Sequence, residues 1–82
     1  VKVVYFASLR ERLGLTEEDL ELPPEARTVA DVISFLAKRD EIYEAVFSSG
    51  LARVALDKRH AKPDTAIAGV SEIAFFPPMT GG

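Results

Sequence analysis

The residues best suited to chemistry close the chain: Phe75-Phe76-Pro77-Pro78-Met79-Thr80-Gly81-Gly82. Gly82 offers the least hindered carboxylate a polypeptide can carry, on a backbone free to take any φ. Such an end suits being threaded into another protein's active site and modified there. Pro77 and Pro78 lack backbone donors and favour extended polyproline geometry, so the spacing predicts a strand that stops at Phe76 and a semi-rigid stalk thrown outward. Residues 77–82 can reach roughly 20 Å at ~3.3 Å each, enough to enter a deep, narrow pocket. A terminal Gly-Gly on its own also fits an expression remnant or a frayed end. Here the Pro-Pro step and the apolar strand before it favour a functional tail.

Little else in the chain looks like chemistry. Cysteine is absent, which excludes a disulfide framework and a cysteine metal site, and points to a reducing cytoplasm. Any sulfur handled by this chain cannot ride on a thiol side chain. The single histidine, His60, leaves no histidine cluster for a metal, and a nucleophile paired with a base is hard to build. A net charge of −3 argues against a nucleic-acid partner. No apolar run approaches the ~20 residues that span a bilayer, and no signal-peptide pattern is visible, so no membrane partner is expected.

The elements that must position the tail are legible in the periodicity. At 82 residues the chain is one domain with a modest core, an expensive place to build a cleft of its own. Residues 1–7 are β-branched and aromatic, a strand. Ser8 and Glu11 have capping-box spacing before a short helix that Gly14 stops. Leu20 and Leu22 alternate with Asp19 and Glu21, a half-buried strand over residues 16–22 with one wet, acidic face. Thr28 and Asp31 begin the main helix, in which Val29, Val32, Ile33 and Leu36 share a face and Lys38 and Arg39 occupy the last turn. A second helix over residues 41–48 carries Ile42, Ala45 and Val46 on one side, with Gly50 to close it. Strands follow at residues 52–56, 59–62 and 72–76, with turns at Asp57-Lys58, Pro63-Asp64 and Gly69. Asp57, Lys58, Arg59 and His60 read as turn and surface residues. The order is α+β, one sheet face covered by the main helix.

The strand period divides the first strand into Val1, Val3, Tyr5 and Lys2, Val4, Phe6; it divides the last into Ile73, Phe75 and Glu72, Ala74, Phe76. Lys2 and Glu72 mark the second sets as the uncovered side. Phe6 and Phe76, beside Val4 and Ala74, then form an apolar patch that wants a partner, unless loops fold over it.

The opening strand followed by Leu9-Arg10-Glu11 and Gly14, the Thr28-Val29 helix start, the Val54-Ala55-Leu56 strand and the closing octapeptide together resemble the MoaD-type sulfur carriers, the small subunits of molybdopterin synthase. The resemblance spans essentially the whole chain. It departs at Asp57, where many relatives have Asn, and in the turn at residues 68–72. It implies a β-grasp, ubiquitin-like fold over residues 1–82: a mixed sheet of about five strands, the first and last parallel neighbours, and a flexible functional tail at 77–82. It also implies the chemistry. The Gly82 carboxylate attacks the α-phosphate of ATP on an E1-like adenylating enzyme, and sulfur from a donor protein replaces AMP to leave a thiocarboxylate. The tail then enters the large subunit of the synthase, where a cyclic pyranopterin precursor receives the sulfur and the dithiolene of molybdopterin is formed. Gly81 and Gly82 allow close approach, Thr80 and Met79 fix depth and register, and Phe6, Phe76, Val4 and Ala74 grip the partner with Arg10 at the rim. This chain would bind no cofactor itself, and the acid–base residues would belong to the large subunit. Three other readings stay open: a carrier for thiazole or cysteine synthesis, a ubiquitin-like modifier joined to lysine through Gly82, and an interaction module with an inert tail.

Overall fold

In the computed structural model, which describes residues 1–48, 50 and 52–78, eight elements follow one another: β1 (Lys2–Tyr5), α1 (Ala7–Leu13), β2 (Glu17–Asp19), α2 (Val29–Ala37), α3 (Glu41–Ser48), β3 (Arg53–Leu56), β4 (Arg59–Ala61) and β5 (Glu72–Phe76). The strands form one mixed sheet in the order β2-β1-β5-β3-β4. β1 and β5 are parallel at its centre, with Lys2 opposite Glu72 and Tyr5 opposite Phe75. The other neighbouring pairs are antiparallel. Parallel neighbours need a long crossover; here the connection carries all three helices and the other three strands.

The helices lie on one face. Val3, Tyr5, Ile73 and Phe75 of the central strands meet Leu9 of α1, Val29, Val32 and Leu36 of α2, and Tyr43, Val46 and Phe47 of α3 in a single buried cluster. Phe47 meets Phe75 edge-on, with ring centroids 4.9 Å apart, and Tyr5 stacks on Phe75 at 6.2 Å. α2 begins where Thr28 and Asp31 predict. Asp31 N–H donates to Thr28 Oγ1 and Thr28 N–H to Asp31 Oδ2, a complete capping box. Backbone N–H groups of Arg27 and Thr28 hold the Asp31 carboxyl below its usual range. α3 is capped in turn by Asp40, whose Oδ1 accepts from the N–H groups of Ile42 and Tyr43.

Four local expectations are corrected. Ser8 does not cap α1: Phe6 is the N-cap, without a side-chain bond, and Ser8 sits inside the helix. The chain turns from β1 into α1 through Ala7 at φ 51, which brings the helix start forward. The α3 face is rotated from the expected one, because Tyr43 and Phe47 bury their rings over the central strands while Ile42 stays 52% exposed and Ala45 faces solvent. Only Glu17–Asp19 pairs as β2, although Leu20 N–H still donates to Val1 O and Leu20 is buried. Lys38 is the C-cap of α2 and Arg39 lies beyond it, free to turn toward β2.

That turn builds a polar hub under the sheet. Glu18 shares the inward parity of Leu20, so its carboxylate points toward the helices. Glu18 Oε2 accepts from the Tyr5 and Tyr43 hydroxyls at 2.7 and 2.9 Å, and Oε1 accepts from Arg39 Nη1 at 2.7 Å. The Arg39 guanidinium also lies 4.8 Å from the Tyr43 ring centroid. One carboxylate thereby ties edge strand β2 to β1, to α3 and to the α2–α3 turn. Burial alone would raise the Glu18 carboxyl, but the bonds from Arg39, Tyr5 and Tyr43 outweigh it and hold the group below the ordinary glutamate value. Burial, together with the same carboxylate, pushes both tyrosine hydroxyls up.

Because the folded-state value of Glu18 is depressed, its contribution to stability is full above the unfolded glutamate value of about 4.3. It is lost as pH falls from there through the lower folded value. Glu18→Ala leaves two phenols without an acceptor and is expected to cost about 1–3 kcal/mol near neutral pH. Urea unfolding of wild type and variant from neutral pH down to about pH 3 should show the gap closing at the acid end. A gap that stays constant across that range would contradict the hub.

Candidate functional site

The face opposite the helices is assembled by register. Across it run Asp19 (β2), Lys2 (β1) and Glu72 (β5), then Glu17, Val4, Ala74, Ala55 and His60, with Phe76 and Arg53 in the next row. Phe6 follows in the same parity as Val4, and its N–H continues the β1–β5 ladder by donating to Phe75 O at 3.0 Å. Val4, Ala55 and Ala74 form a second buried cluster against which Phe76 packs; among the described residues no helix side chain joins it. The apolar stretches Val3-Val4-Tyr5 and Ile73-Ala74-Phe75-Phe76 are continuous rather than alternating. Parallel strands with that pattern are normally covered on both faces. Here the helices cover one face; on the other, among the described residues, half-buried Phe76 packs over the buried Val4, Ala55 and Ala74, and Phe6 stays 47% exposed, with no described loop folded over its ring.

At the open end of this patch the chain leaves the sheet. β5 ends at Phe76, as two following prolines require. Pro77 and Pro78 do not stand clear at once. They are half-buried and line a cleft of about 140 Å³ with Ser8, Leu9 and Arg12 of α1, Val46 of α3 and Ala52. The root of the tail is thus seated against the helical layer. Met79, Thr80, Gly81 and Gly82, the predicted reactive and threading residues, lie outside the described residues.

The predicted partner-binding residues Phe6, Phe76, Val4 and Ala74 come together. Arg10 lies on α1, four residues past Phe6, and is exposed; its backbone O accepts from Gly14 N–H. Two residues read as bland turn positions have definite places. His60 is on β4 opposite Ala55, and its ring meets Phe76 edge-on at 5.4 Å, so it extends the patch. Its parity with Ala55 across a two-residue turn was the available signal. Asp57 Oδ1 accepts from Ser71 and Glu72 N–H at 3.1 and 2.9 Å, locking the β3–β4 turn to the start of β5. Among the described residues no group of His, Asp and Glu could hold a metal ion, and no helix is long and apolar enough to cross a membrane.

A family model described as the ThiS family matches residues 3–82. The chain belongs to the ThiS family. Its similarity to individual members runs end to end. A Haemophilus influenzae protein named molybdopterin synthase sulfur carrier subunit is 30% identical over 82 residues, spanning 100% of this chain and 99% of the relative. Among solved structures, a Pyrococcus furiosus protein described as molybdopterin converting factor, subunit 1, superposes with a TM-score of 0.75 at 31% identity, over 95% of each chain. SAMP1 from Haloferax volcanii superposes at 0.73 with 26% identity, over 99% of this chain and 97% of that one. The fold is the ubiquitin-like β-grasp, and the likeness to molybdopterin synthase sulfur carriers covers the sheet face and the tail root together.

In this ThiS-family chain the two faces should respond oppositely to truncation. Phe75→Ala, at a fully buried ring, is expected to cost about 3–5 kcal/mol. Phe6→Ala should stay within roughly 0.5 kcal/mol of wild type. Equal losses in urea unfolding would mean that Phe6 is a core residue and the patch is not free.

Proposed function

We propose that this chain is the sulfur carrier of a molybdopterin synthase. Gly82 is its working residue and the uncovered sheet face is its docking surface. The observation that carries the reading is the parallel β1–β5 pair, which sets Phe76 against Val4, Ala55 and Ala74 and then passes directly into Pro77-Pro78. Docking and delivery therefore share one strand.

The chemistry follows from an unhindered carboxylate with no thiol elsewhere in the chain. An α-carboxyl is ionised at neutral pH. One Gly82 oxygen attacks the α-phosphate of ATP on an E1-like adenylating enzyme, forming an acyl–phosphate bond and expelling pyrophosphate. The terminal sulfur of a donor-protein persulfide then attacks the acyl carbon and AMP leaves; a second thiol on the donor side cleaves the resulting S–S bond, becoming a disulfide with the donor cysteine and releasing the Gly82 thiocarboxylate. In the large subunit that sulfur passes to the pyranopterin precursor, and the acid–base groups are the partner's. This chain binds no cofactor of its own; it contributes a narrow tail, with Gly81 admitting the backbone and Thr80 and Met79 setting depth. Ordering each tail residue costs roughly 1–2 kcal/mol, so the tail alone would bind poorly. The patch of Phe6, Phe76, Val4 and Ala74, with Arg10 at its rim, offsets that cost by holding the tail at high effective concentration.

Intact mass spectrometry after incubation with ATP, an adenylating enzyme and a sulfur donor tests the loading step. The expected result is replacement of one oxygen by sulfur, absent when Gly82 is deleted although the thermal midpoint is unchanged. A sulfur-free chain with competent partners, or covalent conjugates on a denaturing gel in its place, would sink the reading. For docking, Phe76→Asp should weaken calorimetric binding to the large subunit at least tenfold with the fold retained; unchanged affinity would remove the patch from the account.

A further inference from the structure

Charge is not spread evenly over the uncovered face. Asp19 and Glu72 stand in the row far from the tail and Glu17 in the middle row, with Lys2 paired with Glu17 at 3.5 Å and the N-terminal ammonium 3.6 Å from Asp19. At the tail end the sign reverses. Arg53 stands opposite Phe76, exposed on the sheet side of the tail root. Arg12 lines the cleft that holds Pro77 and Pro78, on the helix side. Two arginines thus flank the point where the tail leaves the body. Neither forms an ion pair among the described residues; the pairs present there join Glu18, Glu17 and Asp19 to other cations.

An unpaired arginine on each side of the tail root is unnecessary for the fold, since both side chains are in water. Nor are they bound to the site of the nucleotide chemistry, since the six residues from Pro77 to Gly82 can span up to roughly 20 Å when extended. The group they can reach is the surface that receives the tail. Guanidinium forks match carboxylates bidentately and steer association when the opposing surface is negative. We infer that Arg12 and Arg53 form a cationic collar that selects a large subunit bearing carboxylates around the mouth of its tail-accepting channel. The inference rests on the sulfur-carrier reading and specifies the partner surface that reading requires.

The test is stopped-flow association of the full chain with the purified large subunit at about 50 mM and about 0.5 M salt. It compares wild type, the Arg12→Gln/Arg53→Gln pair and the Arg12→Glu/Arg53→Glu pair. Thermal midpoints should stay within ~3 °C of wild type for both pairs, as expected for exposed sites. Charge reversal is expected to raise Kd at least tenfold at low salt, mainly through slower association, with the neutral pair intermediate and the gap shrinking to about twofold at high salt. If charge reversal changes Kd less than twofold while Phe76→Asp weakens binding, the collar is wrong and the docking face stands. If Phe76→Asp is also without effect, the docking face itself fails. Loss of binding to the adenylating enzyme with unchanged binding to the large subunit would overturn the choice of partner.

Discussion

The parallel pairing of β1 with β5 is the constraint on which the rest depends. It puts the two ends of the chain side by side at the sheet centre, Val3 against Ile73 and Val4 against Ala74. Everything between must leave and return, which is why three helices and three further strands fill the crossover. One parity of the pair anchors Tyr5, Ile73 and Phe75 under the helices. The other carries Val4, Ala74 and Phe76 to the open side and delivers the chain into the tail. A register slip of one residue would exchange the faces, so the core and the open face are specified together.

The two faces are built by different physics. The helical face relies on aromatic packing among Tyr5, Phe47 and Phe75 and on the Glu18 hub, where a partly buried carboxylate is tolerated because three donors satisfy it. The open face is floored by small residues, Ala55 and Ala74, over which Phe76 and the edge-on His60 ring lie. A floor of alanines keeps that surface low, so a partner can approach the strands closely. The tail root marks the boundary: Pro77 and Pro78 rest against α1 and α3 on one side, while Phe76 belongs to the open face on the other.

Much of this was legible in the sequence because it rests on strict periods. The faces of β1 and β5, the Thr28–Asp31 capping box, the limits of α3 and the stop at Pro77 follow from parity, cap chemistry and missing donors. The faults came where tertiary contacts outrank local pattern. Helix α3 turned to bury Tyr43 and Phe47 in place of Ile42 and Ala45, because two rings gain more by covering Tyr5 and Phe75. Glu18 has no place in the sequence reading, since nothing local announces that Tyr5, Arg39 and Tyr43 converge on it from 13, 21 and 25 residues away. Asp57 and His60 likewise acquire meaning only when β3 and β4 are set beside β5.

The proposed carrier does its work at Gly82 and lends its sheet to hold the partner. The most direct measurement is a single-turnover reaction: chain already bearing the thiocarboxylate is mixed with the large subunit and the pyranopterin precursor, and chain and pterin are followed by mass. The account predicts that sulfur disappears from Gly82 and appears on the pterin at matching rates, with the chain returned as carboxylate. Sulfur retained on the chain, or a Gly82 that leaves joined to a lysine, would contradict it.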